Sequence, residues 1–375
     1  MINIPAGEID NLIKEQYLDF QETGELQQLS KLFGSSFLDG LVKLIYPTLA
    51  NRRDYQEKLE ISLCWIDKSP LADFTKNNVK DHNGNLVTQK VEVADAAFMF
   101  FTEYAHPTNE TASLSSCKSL LFQAKRSHSL KSLPQVPITH STSQNNSSAK
   151  ELALLSQWPE FDLYKTSRNR SPLQTNLKLQ TNQKDLLSLG WFGACPPSKE
   201  EAWKSRWMCA PAELGASCEH TLGEVISALL GDSKLRNLSV GQSFNYQQGW
   251  VSGSTQCANA WDTLNNEILA QCKESTLPKS IFKSEKKRVQ SSIPLLLLCN
   301  DSPIVIVSTK HKVFMSSSSS EYCQHVELDY LMNNDKSISL PIGEIMGRST
   351  PAHNLLKTKA FPVIAISLIR SEHNE

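Results

Sequence analysis

The chain of 375 residues is long enough for two domains or for one large domain with insertions, and its 40% hydrophobic content suffices for a packed core. A formal net charge of -1 excludes a basic field over the whole molecule, so any nucleic-acid contact must come from a local patch. The nine cysteines include no C-x-x-C pair, and their odd number favours reduced thiols over a disulfide framework.

The N-terminal residues lack the basic and apolar regions of a secretory signal. The apolar run 294–299 is far too short to span a membrane. These two observations predict a cytoplasmic protein that does not contact the membrane.

The N-terminal part of the chain shows helical periodicity. Apolar residues at helical spacing run from residue 8 to 50, and a second stripe of this kind predicts a helix over 54–66. Glu60 lies at the margin of that second stripe, and Glu57 lies further round the helix. A turn cluster and a predicted strand over 86–93 follow.

The next two apolar runs carry polar residues in unusual places. Asp95 interrupts the run 93–101, and the following run ends in Gln123-Ala124-Lys125. Side chains alternate along a strand, so Gln123 and Lys125 face one side of the sheet and Ala124 faces the other. Only a polar loop separates the two strands, which predicts that they are neighbours. The pattern therefore predicts a site formed by Asp95, Gln123 and Lys125.

The rest of the chain divides by composition. A helix is predicted to run from about residue 149 to 157, and Ser, Asn, Arg and Gln dominate the segment that follows residue 165. We therefore predict a first domain over 1–165, a linker over 166–183 and a C-terminal α+β domain over 184–375 for target or partner binding. The fold class expected for the first domain is α/β, with a mixed central sheet flanked by helices.

The Gln-x-Lys triplet indicates a site only because it ends an apolar strand and follows Asp95. On the order of four [D/E/Q]-x-K triplets are expected by chance in a chain of this length. The other four that occur lie in predicted helices or polar turns.

Asp95 offers a carboxylate and Gln123 a carbonyl oxygen, both of which Mg²⁺ or Mn²⁺ accepts as ligands. A bound cation would activate water for phosphodiester hydrolysis, and Lys125 would orient or deprotonate that water or stabilise the transition-state charge.

A helix, a strand, an Asp-bearing strand, a strand ending in [D/E/Q]-x-K and a further helix resemble the PD-(D/E)xK (restriction-endonuclease-like) nuclease superfamily over about residues 50 to 165. The resemblance implies that Asp95 and Gln123 bind metal and that Lys125 is catalytic. It also implies a glutamate on the first helix that joins the metal site. Glu60 is the better candidate for that residue, and Glu57 is the weaker one.

Two residues depart from the pattern of the superfamily. Ala94 stands where the signature proline would be. Gln123 replaces the acidic residue of the motif, which removes one negative charge and should weaken metal binding. Whether a cation binds then depends on the glutamate that completes the site.

The resemblance implies a metal-dependent endonuclease that acts on DNA in preference to RNA, in a bacterial restriction or anti-phage setting. Two alternatives stay open: a catalytically inactive subunit with the nuclease fold that binds within a larger complex, and an RNA-directed nuclease. A protein partner or a second copy of the chain could supply part of the nucleic-acid contact.

Three further features have plain interpretations. Cysteines and a histidine at 195, 209, 218 and 220 match no zinc-knuckle spacing, so buried reduced thiols are favoured over a metal site. The basic stretch 283–288 is interpreted as a solvated loop. Five tryptophans are interpreted as core residues and not as a base-stacking surface. They are Trp191, Trp203, Trp207, Trp250 and Trp261.

Overall fold

Residues 96–101, 120–122 and 361–366 of the central sheet are apolar runs, and all of them are buried, as expected where both faces of a sheet are covered. The computed structural model describes residues 1–18, 24–33, 35–49, 55–66, 69–105, 113–129, 131–138, 146–179, 183–198, 203–247, 249–274, 304–309, 312–317, 324–328 and 361–372.

Within these residues the helices are α1 (Ala6–Glu15), α2 (Glu25–Ser30), α3 (Ser35–Ile45), α4 (Ser147–Gln157), α5 (Gln183–Leu186), α6 (Leu222–Gly231) and α7 (Ala260–Glu274). Short 3₁₀ turns lie at Lys31–Phe33, Tyr46–Thr48 and Thr75–Asn77. The helical periodicity predicted near the N-terminus and the helix predicted before Trp158 are both confirmed.

The strands are β1 (Tyr55–Ile66), β2 (Leu71–Asp73), β3 (Val91–Glu92), β4 (Ala96–Ala105), β5 (Ser113–Arg126), β6 (Phe161–Tyr164), β7 (Gln174–Leu177), β8 (Gly190–Cys195), β9 (Met208–Pro211), β10 (His220–Thr221), β11 (Lys234–Leu235), β12 (Leu238–Ser239), β13 (Gln242–Ser243), β14 (Ile304–Thr309), β15 (Lys312–Ser317), β16 (Gln324–Leu328) and β17 (Phe361–Glu372).

One mixed sheet organises the described part of the chain. Its strand order is β10-β9-β8-β5-β4-β17-β1-β14-β15-β16, with β13 also paired to β5. β5 is antiparallel to β4 and parallel to β8, and α4 lies between β5 and β8 in the chain. A smaller antiparallel sheet has the order β3-β2-β6-β7. The predicted α/β class with a mixed, helix-flanked sheet is confirmed.

Alternation along β5 divides the core into two layers. Phe122 belongs to the layer that includes apolar residues of α1, α2, α3 and α6. Leu121 belongs to the opposite layer, which includes residues of α4, α7 and the smaller sheet. Gln123 and Lys125 share the parity of Leu121, so they face the α4 side.

The predicted helix over 54–66 is wrong, because this segment is strand β1. Its residues Leu59, Ile61, Leu63 and Trp65 also alternate with period two, so the helical stripe was one of two patterns present. β17 and β14 flank β1 on either side, and both come from the far C-terminal part of the chain. Pairing with these distant strands decides the conformation.

The central sheet does not divide at the predicted linker. β8 follows that linker in the chain, yet it pairs with β5, which precedes it. β17 is inserted between β4 and β1. Within 166–183, β7 completes the smaller sheet by pairing with β6. The segments predicted as a first domain over 1–165 and a second over 184–375 therefore build one sheet together.

Candidate functional site

Asp95, the residue immediately before β4, lies opposite Gln123 of the neighbouring antiparallel strand β5, as the sequence predicted. Ala96 pairs with Phe122, and the backbone N–H of Asp95 donates to the carbonyl of Phe122 at 3.0 Å. Residues directly opposite in such a pair point to the same face. The Gln123 side-chain amide and the backbone N–H of Ala124 (2.9 Å) both donate to Asp95 Oδ2.

Lys125 completes the predicted constellation on the same face. Its Nζ lies 3.8 Å from Asp95 Oδ2, and its side chain is only 7% exposed. Two carboxylates that the sequence did not single out also reach this ammonium group. Glu151 Oε2 of α4 is 2.9 Å from Nζ, and Glu25 Oε1 of α2 is 3.7 Å from it. Three carboxylates from separate parts of the fold thus converge on one buried lysine.

This environment keeps Lys125 charged. Burial alone would lower the pKa of Lys125, but the carboxylates of Glu151, Asp95 and Glu25 together outweigh it and raise the pKa above its usual value. At neutral pH the group is therefore an ammonium ion. It can donate hydrogen bonds and stabilise negative charge, but it cannot accept a proton.

The carboxylates respond in the opposite sense to burial. Burial raises the pKa of Asp95 well above its usual range; Lys125 opposes the shift, and the charges of Glu25, Glu151 and Glu92 add to it. Burial likewise raises the pKa of Glu151, with Lys125 again opposing. Because one ammonium faces several carboxylates, the cluster carries excess negative charge when all of them are ionised.

Glu25 of α2 reaches Lys125, whereas Glu60, the candidate that the sequence favoured for a helix glutamate, lies on strand β1 and far from the site. Glu60 pairs with Ser367, which is in register with Phe101 and through it with Cys117 of β5. Gln123 lies six positions further along β5, so Glu60 is roughly 20 Å or more from it at about 4.8 Å per strand and 3.3 Å per residue. Glu57, also on β1, pairs still further from the site.

A buried network fixes the short helix α2 that carries Glu25. Gln28, one turn after Glu25, donates to the carbonyl of Pro196 at 2.9 Å and accepts from Arg206 Nε at 3.0 Å. Tyr17 donates its hydroxyl to the Gln28 carbonyl at 2.6 Å. Glu25 itself accepts from the backbone N–H of Arg126 at 2.9 Å. These bonds hold its carboxylate at the end of β5.

The donor set fits a hard divalent cation. Gln123 is fully buried, and its Oε1 has no hydrogen-bond partner. A half-turn of the terminal amide exchanges oxygen and nitrogen, so Gln123 can donate to Asp95 or present its oxygen to a cation bound there. Among the described residues, no group of three His, Cys, Asp or Glu side chains could hold a metal ion. Mg²⁺ commonly takes only one or two protein carboxylates and keeps several waters, so an Asp95–Gln123 set is chemically suitable.

The sequence also offered cysteines, tryptophans and a basic stretch as candidate sites. The thiols of Cys195, Cys209 and Cys218 are buried, and burial raises the pKa of each, to about 12 for Cys218. Trp191, Trp207 and Trp261 are buried in the core as predicted, whereas the stretch 283–288 lies outside the described residues.

The chain was compared with protein-family models, curated proteins and solved structures. No family model matches the chain, and neither the curated proteins nor the solved structures contain a match. In the portion of the chain that is described, no helix is long and apolar enough to cross a membrane.

Proposed function

We propose that the protein is a metal-dependent nuclease that hydrolyses phosphodiester bonds, with DNA as the favoured substrate. The convergence of Asp95, Gln123 and Lys125 on one face, at the ends of two paired strands, supports this proposal. The restriction or anti-phage setting follows from the resemblance of the same residues to the PD-(D/E)xK superfamily.

Each residue has a defined role in this proposal. The Asp95 carboxylate and the Gln123 carbonyl oxygen would hold Mg²⁺ or Mn²⁺. When bound, the cation lowers the pKa of a coordinated water and offsets charge on the phosphate. Lys125 stays protonated, so it stabilises the negative charge that develops on the phosphoryl oxygens and does not act as a base. Glu25 and Glu151 hold the ammonium in place.

Cleavage assays with matched variants test this function. The purified protein is incubated with plasmid DNA, single-stranded DNA and RNA, with Mg²⁺ or Mn²⁺ and with a chelator. We expect metal-dependent cleavage that falls about 10²- to 10³-fold in Asp95→Ala and Lys125→Ala, since each removes one electrostatic contact with the reacting groups. Lys118→Ala is the control, because Lys118 is on the same strand but pairs with Asp232 at 2.6 Å on the other face. Equal activity in wild type and both site variants would refute the proposal.

A non-catalytic role is the second candidate. The Lys125 ammonium already pairs with three carboxylates, and Gln123 leaves the motif one carboxylate short. A subunit that binds nucleic acid within a complex would need no metal. Metal-independent binding of DNA without cleavage, unchanged in Asp95→Ala, would favour this role.

A further inference from the structure

The carboxylate that Gln123 lacks is present nearby on a different element. Glu151 lies 28 residues after Gln123 in the chain, on the buried side of α4, and its side chain is 7% exposed. We propose that Glu151 takes the place of the acidic residue missing at position 123, and that the divalent cation is shared between the Asp95–Gln123 strand pair and α4. This inference rests on the proposed nuclease function and adds a ligand to its metal site.

The distances place Glu151 and Asp95 in one site. Glu151 Oε2 is 2.9 Å and Asp95 Oδ2 is 3.8 Å from the same Lys125 nitrogen, so the two carboxylates are no further apart than these distances combined. A carboxylate has about four lone-pair positions and can accept from Lys125 and bind a cation together. Two oxygens that bind one Mg²⁺ at 2.0–2.1 Å lie about 3 to 4 Å apart, a separation within that upper limit.

The unpartnered oxygen of Gln123 points independently to a ligand. This acceptor is fully buried and has no hydrogen-bond donor, although the nitrogen of the same amide contacts Asp95. A buried acceptor without a partner costs about 1–3 kcal/mol. A cation that takes this oxygen as a ligand would remove the cost, whereas an ion pair between Glu151 and Lys125 leaves it unchanged.

The donor atoms define the class of cation. Two carboxylates and one amide carbonyl are all hard oxygen donors, which suit Mg²⁺ or Mn²⁺ better than Zn²⁺ or Cu²⁺. A second carboxylate from α4 also restores the negative charge that is missing because position 123 is glutamine and not an acidic residue. The site then balances a divalent cation with two carboxylates and keeps Lys125 available for the phosphate.

Moving the carboxylate tests the inference directly. We compare the full-length wild type with Glu151→Gln, Gln123→Glu and the double variant, and measure Mn²⁺ affinity by calorimetry together with the rise in melting temperature that Mn²⁺ causes. We expect Glu151→Gln to weaken Mn²⁺ binding at least about 10-fold. The double variant has the same number of carboxylates as wild type and should recover most of the loss. Glu103→Gln, which removes a half-buried glutamate from β4, should leave the affinity unchanged.

Separate outcomes distinguish the inference from the function on which it rests. If Glu151 is only an ion-pair partner of Lys125, Glu151→Gln will lower the melting temperature without changing Mn²⁺ affinity, and cleavage by the wild type will persist. That result overturns the inference and leaves the nuclease proposal intact. If the wild type neither binds Mn²⁺ nor cleaves any substrate, the proposed function fails and the inference fails with it.

Discussion

Lys125 shows how a single buried charge can organise a site. An isolated ammonium would be strongly disfavoured at 7% exposure, yet Lys125 is stabilised by carboxylates from α2, α4 and the residue before β4. The sequence alternation placed Gln123 and Lys125 on one face, but it could not show which acids would meet them there.

Lys125→Met should be strongly destabilising. The methionine is similar in length, but it leaves the buried carboxylate of Glu151 without its ion-pair partner, and removing one member of a buried pair typically costs about 3–5 kcal/mol. Urea denaturation at pH 7 measures the change. Lys118→Met is the matched control, because its partner Asp232 is 67% exposed and such pairs contribute only about 0–1 kcal/mol. Equal losses in the two variants would show that the Lys125 cluster contributes no special stability.

At the scale of elements, α4 carries Glu151 and begins with a defined cap. Asn146 has an extended backbone, and its side-chain oxygen accepts from the backbone N–H of Ser148 at 3.1 Å. This bond satisfies one of the unpaired donors in the first turn. The helix start therefore fixes the turn from which Glu151 projects toward β5.

Asn146→Ala should destabilise the protein by about 0.5–2 kcal/mol, since it removes the capping acceptor. Asn146→Asp keeps an acceptor and adds a negative charge at the helix N-terminus, so it should retain most of the stability. Thermal denaturation of both variants measures the difference. If Asn146→Asp is as unstable as Asn146→Ala, the cap contributes through some contact other than its side-chain oxygen.

The parts of the site that could be predicted are those set by local rules. Asp95 lies at the start of β4, and Gln123 and Lys125 belong to β5, the next strand in the chain and antiparallel to it, so alternation and adjacency were enough to bring them together. Glu25 and Glu151 reach the site from helices before and after those strands, and their positions depend on how α2 and α4 pack. No period in the sequence encodes that packing.

The error over β1 has a related physical cause. Residues 55–66 satisfy a helical and a strand period together, and the apolar stripe of Tyr55, Leu59, Leu63 and Ile66 favoured the helix. The strand forms because β17 pairs with it along its full length, from more than 290 residues away in the chain. Because this segment is a strand, Glu60 does not reach the site, whereas Glu25 of α2 does.

At the scale of the whole molecule, the near-neutral net charge of -1 conceals an unequal distribution of ionisable groups. Asp95, Glu103 and Glu151 are carboxyl groups whose pKa values burial raises above their usual range. Glu219 and Glu224 have lowered pKa values, for Glu219 chiefly because of the hydrogen bond from Arg236 and for Glu224 because hydrogen bonds from Lys204 and the Thr221 backbone outweigh burial. The two sets act on stability in different ranges of pH.

The raised set predicts that stability falls as the pH increases above about 4, the pKa of free carboxyl groups. The folded state binds more protons than the unfolded state at these three groups, so the free energy of unfolding declines until the pH passes their folded pKa values. The lowered set acts only below about pH 4.3, where stability falls as the pH decreases.

Melting temperatures measured at pH 5, 6, 7 and 8 should therefore decrease from pH 5 to pH 8. The free energy of unfolding falls by up to about 1.4 kcal/mol per pH unit for each titrating group. Asp95→Asn should flatten this profile more than Glu103→Gln, because Asp95 is the more strongly shifted group. A melting temperature that rises between pH 5 and 8, or a profile that Asp95→Asn leaves unchanged, would contradict the burial of an ionisable cluster at the end of β5.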